Sequence, residues 1–242
     1  MTLPALTPAE RLILALDLPT IAEAEDLVNR LEGTVHFYKI GLQLLSVGGM
    51  DLARRLKDQG HKVFLDWKLH DIPATVEKAA RNIAALDADL LTVHATPQVM
   101  TAAAQGVADT ATRVLGVTVL TSLGAEDLQA LGHNQSAEDL VLARAEQAIA
   151  AGIAGVVSSP QETPMLRTRF ADRLMLVTPG IRPTGSAKGD QKRAMTPAEA
   201  IHNGADYLVI GRPISASPEP KAAAQAIQNE ITEACQQQTS VI

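Results

Sequence analysis

The chain has 242 residues, 46% of them hydrophobic and 20% charged, which is ordinary globular usage and excludes a disordered or fibrous protein. Its net charge of −6 disfavours a general nucleic-acid binder or a protein that binds anionic membranes, because both need basic surfaces. The single cysteine, Cys235, excludes a disulfide framework and a thiolate metal cluster. Because no apolar run is long enough to span a membrane and no targeting segment is recognisable, we expect a cytoplasmic protein.

Short apolar runs alternate with helical patterns along the chain. The first run, Leu12 to Leu18, predicts a buried strand, and Ile21 to Leu31 has the apolar spacing of a helix. Seven more strands are predicted on the same grounds: Val35 to Ile40, Lys62 to Trp67, Leu90 to His94, Val114 to Leu120, Ile153 to Val157, Leu174 to Val177 and Tyr207 to Ile210. Eight strand-helix units of about 30 residues each predict an α/β fold, a (β/α)₈ TIM barrel, as a single catalytic domain. We expect that domain to span residues 1–242, with a C-terminal tail that frays after about residue 236.

A doubly wound open sheet is the alternative fold. The barrel is favoured because no G-x-G-x-x-G motif follows the first predicted strand and no linker divides the chain. Two connections are longer than the others, Ser122 to Ala137 and Arg182 to Thr196, and loops of this size often serve as lids. The second is rich in glycine, proline and cationic residues, so we predict that it moves.

Polar residues follow almost every predicted strand, at the end of a barrel where catalytic groups lie. The residues at these strand ends are Asp17, Lys39, Asp66 and Lys68, His94, Thr121 and Ser122, Ser158 and Ser159, Pro179 and Gly180, and Gly211 and Arg212, most of which are polar. Each has a purely structural explanation, since a carboxylate after a strand commonly caps the next helix and a lysine there can be a solvated rim charge. Their convergence on one face of a barrel nevertheless favours a binding or catalytic site.

The segment from Asp66 to Asp71 carries the strongest chemical signal. Strand geometry places Asp66 and Lys68 on one side, facing the barrel mouth, with Trp67 on the other side. Asp71 stands where the chain leaves the strand, either as a helix cap or as part of the site, and Pro73 fits the first turn of the next helix. Alternating charges offset the cost of burial and keep the lysine protonated, so Lys68 is predicted to be a general acid and not a Schiff-base nucleophile.

Glycines and cationic residues after the last two strands predict a phosphate site. The segments are Gly180 to Arg182, Asp190-Gln191 and Gly211-Arg212. Barrels frequently bind phosphate there, because glycine lets backbone N–H groups approach the anion and arginine donates two parallel hydrogen bonds to phosphate oxygens. A surface turn that happens to contain an arginine is the simpler alternative, but the position after strand eight favours a phosphorylated small molecule.

Eight motifs occur in a characteristic order: LALDLP around Asp17, FYKIG around Lys39, FLDWKLHDIPATV around Lys68, LTVHA at His94, VLTS at Thr121, VTPGIRP at Arg182, GDQKR at Gln191 and YLVIGRPI at Arg212. In these motifs the sequence resembles the orotidine 5′-phosphate decarboxylase family over nearly its whole length. The D-x-K-x-x-D core is shared with metal-dependent sugar-phosphate lyases, whereas the LHDIP extension and the GIRP, DQ and GRPI motifs are more specific. Trp67 and Ala74 replace the leucine and asparagine more usual in the family.

The resemblance implies decarboxylation of orotidine 5′-phosphate to UMP and CO₂, in UMP biosynthesis, without cofactor or metal. Lys68 is implied to protonate C6, with Asp66, Asp71 and Lys39 completing the catalytic set. Asp71, Ile72 and Thr75 resemble family residues that reach the neighbouring subunit's site, which implies a homodimer. The other implied substrate-binding residues are Asp17 and Lys39 at the ribose, Thr121 and Ser122 at the pyrimidine, Arg182, Gln191, Gly211 and Arg212 at the phosphate, and Pro179.

Two other functions fit parts of the pattern. A magnesium-dependent 3-keto sugar-phosphate decarboxylase or aldolase of the related barrel group has a metal-binding carboxylate at the end of strand two, where this chain has Lys39. A catalytically silent nucleotide-binding barrel has no need for the charged set Asp66, Lys68 and Asp71. We therefore favour the decarboxylase.

Overall fold

Eight parallel strands close into a barrel in the order in which they occur along the chain. The computed structural model describes residues 6–183 and 195–239. The strands are β1 (Leu12–Ala15), β2 (Phe37–Gly41), β3 (Lys62–Leu69), β4 (Leu90–His94), β5 (Arg113–Val117), β6 (Gly155–Val157), β7 (Met175–Thr178) and β8 (Tyr207–Ile210). The barrel closes where β1 pairs with β8, with Leu12 beside Leu208. The predicted TIM barrel is confirmed.

Helices on the outside of the barrel follow the strands. They are α1 (Ile21–Arg30), α2 (Leu42–Leu45), α3 (Gly49–Asp58), α4 (Pro73–Ala84), α5 (Pro97–Gly106), α6 (Ala125–Ala130), α7 (Ala137–Ala150), α8 (Thr163–Phe170), α9 (Pro197–His202), α10 (Arg212–Ser215) and α11 (Pro220–Thr239). Short 3₁₀ turns cover Pro8–Arg11 and Ala171–Arg173. Within the described residues, no helix combines the length and apolar character needed to cross a membrane.

Two hydrophobic cores result from the alternation of side chains along the strands. Every second residue points into the barrel, as Ile13 and Ala15 do, and these side chains pack on Phe37, Phe64 and Tyr207. The intervening residues pack against the helices. The interior core lies between the strands, as Leu90, Leu115 and Met175 show.

Two strands end earlier in the structure than predicted. β1 ends at Ala15 and not at Leu18, and β5 ends at Val117 and not at Leu120. The apolar residues beyond β5 do not continue the strand because Val119 and Leu120 line a cavity at the barrel mouth. Both strands were predicted too long because apolar residues follow them in the sequence. After β5, those apolar residues line the cavity and are not part of a strand.

Three other predictions concern the two long connections and the C-terminal tail. The connection from Ser122 to Ala137, predicted as a long loop, contains α6, whose start is stabilised by a 2.7 Å hydrogen bond from the Gly124 backbone N–H to Asp127 Oδ2. Helix α11 runs to Thr239, beyond the point where we predict fraying, and the Gln238 side chain donates to the Ile201 carbonyl. Most of the predicted mobile loop, residues 184–194, lies outside the described residues, so its movement stays a prediction.

Candidate active site

A cavity of about 570 Å³ opens at the carboxyl-terminal mouth of the barrel. Its walls come from the ends of most strands and from the connections that follow them. Nine of the predicted site residues line it: Asp17, Lys39, Asp66, Lys68, Thr121, Pro179, Arg182, Gly211 and Arg212. A barrel brings these residues together because all eight parallel strands end on the same face.

Four charged side chains of alternating sign form a continuous row across one wall of this cavity. Lys39 Nζ lies 3.1 Å from Asp17 Oδ1 and 3.3 Å from Asp66 Oδ2. Lys68 Nζ donates to the other oxygen of Asp66, Oδ1, at 2.8 Å. The two middle members are largely buried, whereas Asp17 is exposed and Lys68 is partly exposed. Both lysines line the cavity, and the ammonium group of Lys68 is the more accessible of the two.

The electrostatics of the row favour full ionisation. Burial by itself raises the pKa of Asp66, but the positive charges of Lys39 and Lys68 outweigh burial and hold the pKa below its usual value. Burial likewise acts to lower the pKa of Lys39, and the carboxylates of Asp66 and Asp17 reverse this, so the net pKa is raised. At neutral pH both groups are charged, and each stabilises the charged form of its neighbour.

A break in the strand ladder places Lys68. Leu65 of β3 pairs with Leu91 of β4, but the next pair is Leu69 with Val93, so four steps along β3 match two along β4. Within this bulge Lys68 has a φ of 48°, in the left-handed region that side chains other than glycine seldom adopt. The prediction that Asp66 and Lys68 share one side is correct, but the regular alternation on which it rests does not hold there.

Two arginines, Arg182 after β7 and Arg212 after β8, line the same cavity. Burial and the nearby positive charge of Arg212 both lower the pKa of Arg182, and both residues line the cavity. Gly180, which precedes this segment, has a φ of 80°, and glycine adopts that conformation without strain. Clustered cations at the end of β8 are suited to an anion such as a phosphate.

The remaining predicted residues lie elsewhere. Asp71 is exposed at the start of α4, outside the cavity lining, and its Oδ1 accepts the Ile72 backbone N–H at 2.6 Å. Ile72 is 66% exposed, and Thr75 is exposed one turn further along. Ser122 is exposed next to Thr121 but does not line the cavity. Gln191, with Asp190, lies outside the described residues.

The chain is similar to proteins of known activity along most of its length. Residues 10–227 match the profile of the Orotidine 5′-phosphate decarboxylase / HUMPS family. The chain belongs to this family. An orotidine 5′-phosphate decarboxylase from Bradyrhizobium diazoefficiens is 53% identical over 97% of this chain and 99% of its own length. One from Caulobacter sp. strain K31 is 54% identical over 91% of this chain and 96% of its own length.

Solved structures agree with the family assignment. The crystal structure of orotidine 5′-phosphate decarboxylase from Lactobacillus acidophilus superimposes with a TM-score of 0.81 at 35% identity, covering 91% of this chain and 98% of that one. The enzyme from Pyrococcus horikoshii gives a TM-score of 0.73 at 27% identity. The resemblance noted from the motifs is thus confirmed across nearly the whole chain.

Sequence reasoning missed two residues of this family member's site. Thr92 of β4 is fully buried and its hydroxyl donates to Asp66 Oδ1 at 2.9 Å. A Cβ atom on Gly41 would lie 2.9 Å from Asp17 Oδ1 and 3.1 Å from Lys39 Nζ, so the row of charges needs glycine there. Both residues lie within motifs noted above, LTVHA and FYKIG. In these motifs the charged or titratable residues, Lys39 and His94, are the ones that predict a site.

Two histidines near the ends of β3 and β4 lie outside the cavity. His94 at the end of β4 packs against His70, with ring centroids 5.1 Å apart, and neither ring lines the cavity. Burial, followed by the charges of His70, Lys68 and Arg144, lowers the pKa of His94, which favours the neutral ring.

Across residues 6–183 and 195–239, no three side chains among His, Cys, Asp and Glu cluster closely enough to hold a metal ion.

Proposed function

We propose that the protein is an orotidine 5′-phosphate decarboxylase, which converts orotidine 5′-phosphate to UMP and CO₂ in pyrimidine biosynthesis without a cofactor. Family membership supports the reaction, and the row Asp17, Lys39, Asp66 and Lys68 supports the mechanism. The observation that carries the proposal is the Lys68 ammonium, held by Asp66 at 2.8 Å beside an open cavity.

The chemistry requires a cation beside C6 of the pyrimidine. When the bond from C6 to the carboxylate breaks, its electron pair stays on C6, because the ring cannot delocalise it well. Lys68 Nζ stabilises this charge as it develops and then transfers a proton to C6, forming the C–H bond of UMP; solvent returns the proton to the amine. Asp66 keeps the ammonium directed at the reacting carbon.

One ammonium cannot account for the whole rate enhancement. A pair of unit charges about 4 Å apart at an effective dielectric constant of about 20 interacts by roughly 4 kcal/mol. Enzymes commonly lower barriers by about 8 kcal/mol or more, so further terms are needed. Binding energy from the phosphate, used to close the site and exclude water, is the term we rank beside the lysine.

Residues of the cavity walls bind the other parts of the substrate. Asp17 and Lys39 bind the ribose hydroxyls, and Thr121, with Ser122 next to it, binds the pyrimidine edge. Arg182 and Arg212 bind the phosphate, together with Gly211, Pro179 at the cavity wall and Gln191 of the connecting segment. The substrate then spans the cavity from the lysine side to the arginine side.

We further propose that the active unit is a cytoplasmic homodimer. Asp71, Ile72 and Thr75 lie outside the cavity of their own subunit and are exposed, so the start of α4 is available for contact with a second copy of the chain. In a two-fold dimer the start of α4 reaches the partner's site, where the Asp71 carboxylate joins the charged row.

The decisive test of the activity is the loss of the ultraviolet absorbance of orotidine 5′-phosphate in excess chelator. Rapid decay supports the decarboxylase and a metal-independent mechanism. No decay with chelator, combined with magnesium-dependent activity on a 3-keto sugar phosphate, would assign the chain to the lyase group instead.

The role of Lys68 has its own test. Lys68→Ala should abolish turnover and leave UMP affinity nearly unchanged. Lys62→Ala is the matched control, because Lys62 begins the same strand at the opposite end of the barrel and pairs with Glu10 at 2.9 Å. Turnover near the wild-type rate in Lys68→Ala would remove this lysine from the mechanism.

Mixing two inactive variants tests the dimer. Lys68→Ala and Asp71→Ala subunits are combined at equal concentration and allowed to exchange. If Asp71 acts across the interface, each mixed dimer regains one intact site, and random pairing restores about a quarter of wild-type activity. No recovery, with mixed dimers demonstrated by mass spectrometry, would place Asp71 in its own subunit's site.

A further inference from the structure

Thr92 occupies the position in the barrel where the ladder between β3 and β4 is broken. Leu90 of β4 belongs to the interior core, so the alternation along the strand points Thr92 into the barrel as well. Its side chain is completely buried and does not line the cavity. Thr92 therefore acts on the site only through the residues that it touches.

The Thr92 hydroxyl makes two hydrogen bonds, and their directions are fixed by chemistry. The Lys68 backbone N–H can only donate, and it reaches Thr92 Oγ1 at 3.0 Å. An ionised Asp66 can only accept, so the hydroxyl proton goes to Asp66 Oδ1 at 2.9 Å. One hydroxyl thus connects the backbone of the lysine to the carboxylate that binds the same lysine's ammonium.

The first of these bonds replaces a lost ladder contact. Between Leu65 and Leu69 the backbone of β3 bulges away from regular pairing with β4, and Lys68 takes its φ of 48° inside this bulge. Such a conformation is unfavourable for a residue with a Cβ atom and persists only where surrounding contacts hold it. The hydrogen bond to Thr92 Oγ1 is the contact that satisfies the Lys68 N–H there.

The second bond fixes the carboxylate. Asp66 Oδ1 accepts both the Thr92 hydroxyl and Lys68 Nζ, while Oδ2 faces Lys39. A carboxylate that rotated would lose these contacts together, so the hydroxyl sets the plane in which Asp66 holds the ammonium.

We propose that Thr92 is a positioning residue for the reaction, whose hydroxyl holds the Lys68 backbone and the Asp66 carboxylate so that the Lys68 ammonium faces the substrate carbon. This inference rests on the proposed decarboxylase activity for its kinetic consequences. Its structural content, the conformation of Lys68, does not depend on the substrate.

Three substitutions separate positioning from mere packing. Thr92→Val keeps the shape and removes the hydroxyl, Thr92→Ser keeps the hydroxyl and removes a methyl group, and Thr92→Ala avoids any clash if the valine variant does not fold. Thr112→Val is the matched control. Thr112 is also buried, and its hydroxyl donates to the Ala88 carbonyl at 2.7 Å, at the amino-terminal end of the strands and away from the cavity.

We expect kcat of Thr92→Val to fall by about tenfold to a hundredfold, the effect of losing a hydrogen bond to a charged group. KM and UMP affinity should change by less than about twofold, because the ribose and phosphate contacts do not involve Thr92. Thr92→Ser should recover most of kcat, and Thr112→Val should keep the wild-type kcat. Equal losses in kcat and UMP affinity, or no rescue by serine, would overturn the proposal.

A crystal structure of Thr92→Val supplies a readout without substrate. The expected result is a changed φ at Lys68 or a displaced Lys68 ammonium; an unchanged Lys68 in this variant refutes the proposal whatever the kinetics. If the wild-type protein does not act on orotidine 5′-phosphate, the proposed function fails, and this structural arm still decides the role of Thr92.

Discussion

Lys39 is predicted to be the member of the charged row on which folding depends most. The Lys39→Met variant keeps the aliphatic length of the side chain and removes its charge. Asp17, 55% exposed, is then solvated by water, but the Asp66 side chain, 15% exposed, loses a partner at 3.3 Å in a place that little water reaches. The stability cost therefore falls on Asp66.

The magnitude follows from this burial. Removing one partner of a buried ion pair typically costs about 3–5 kcal/mol. Lys68 and Thr92 still hold Asp66 Oδ1, so we expect the lower end, about 3 kcal/mol at pH 7. For a chain of this size that corresponds to a fall in Tm of about 6–12 °C.

The stability cost of Lys39→Met should depend on pH in a definite direction. The pKa of Asp66 is lowered in the folded protein, so its contribution is fully present above the unfolded pKa and is lost as pH falls through the folded pKa. Without Lys39 the folded pKa is higher, and protonation relieves the unpaired charge. The difference in unfolding free energy between wild type and variant should therefore shrink as pH falls from 7 towards 4.

Urea unfolding followed by fluorescence is a suitable assay, because the single tryptophan, Trp67, is buried next to Asp66 in sequence. Arg54→Met is the control: Arg54 pairs with Asp51 on the surface of α3, and its loss should cost less than about 1 kcal/mol, with little change between pH 7 and pH 4. A loss of under 1 kcal/mol in Lys39→Met at pH 7, or a loss that is the same at every pH, contradicts the reasoning.

Three further predictions test other parts of the site. Gly41→Ala should raise KM for orotidine 5′-phosphate by roughly tenfold in steady-state kinetics, because the new Cβ displaces Asp17 from Lys39; an unchanged KM means that this contact is not needed. Arg212→Ala should weaken UMP binding by about tenfold to a hundredfold in calorimetry and leave uridine binding unchanged, and equal losses would argue against a phosphate contact. Trp67→Phe, followed by circular dichroism because it lacks the tryptophan, should unfold at the same or a slightly higher urea concentration, since Trp67 Nε1 is buried with no hydrogen-bond partner among the described residues; a clear loss of stability would show that packing of the indole matters more.

Most of the fold could be predicted from the sequence because buried parallel strands are encoded by simple apolar runs. β4 and β8 match the predicted bounds to the residue, Leu90–His94 and Tyr207–Ile210. Errors arose where apolar residues serve another purpose, as Val119 and Leu120 do in lining the cavity. A pattern of hydrophobicity does not distinguish a strand core from a pocket wall, so strand ends at the barrel mouth are the least predictable.

The sequence predicts which residues belong to the site better than it predicts how they are arranged in space. Asp17, Lys39, Asp66 and Lys68 could be identified because charged residues directly after apolar strands are unusual and because barrels collect strand ends on one face. The exposed position of Asp71 could not be obtained in this way, since a carboxylate three residues after Lys68 fits a helix cap and a catalytic group equally well. Only the three-dimensional course of the chain into α4 separates it from the cavity of its own subunit.

The bulge in β3 shows why local pattern cannot give the geometry of the row. In a regular strand every residue has an extended backbone with a negative φ, yet Lys68 has a left-handed φ of 48° where its ammonium reaches Asp66 Oδ1 at 2.8 Å. The information for this departure is on β4, where Thr92 supplies the hydrogen bonds that the ladder lacks. A neighbouring strand that contributes no carboxylate or ammonium to the row thus sets the position of the lysine. Because this pairing joins residues 24 and 26 positions apart, it is a tertiary property that no window of sequence around Lys68 contains.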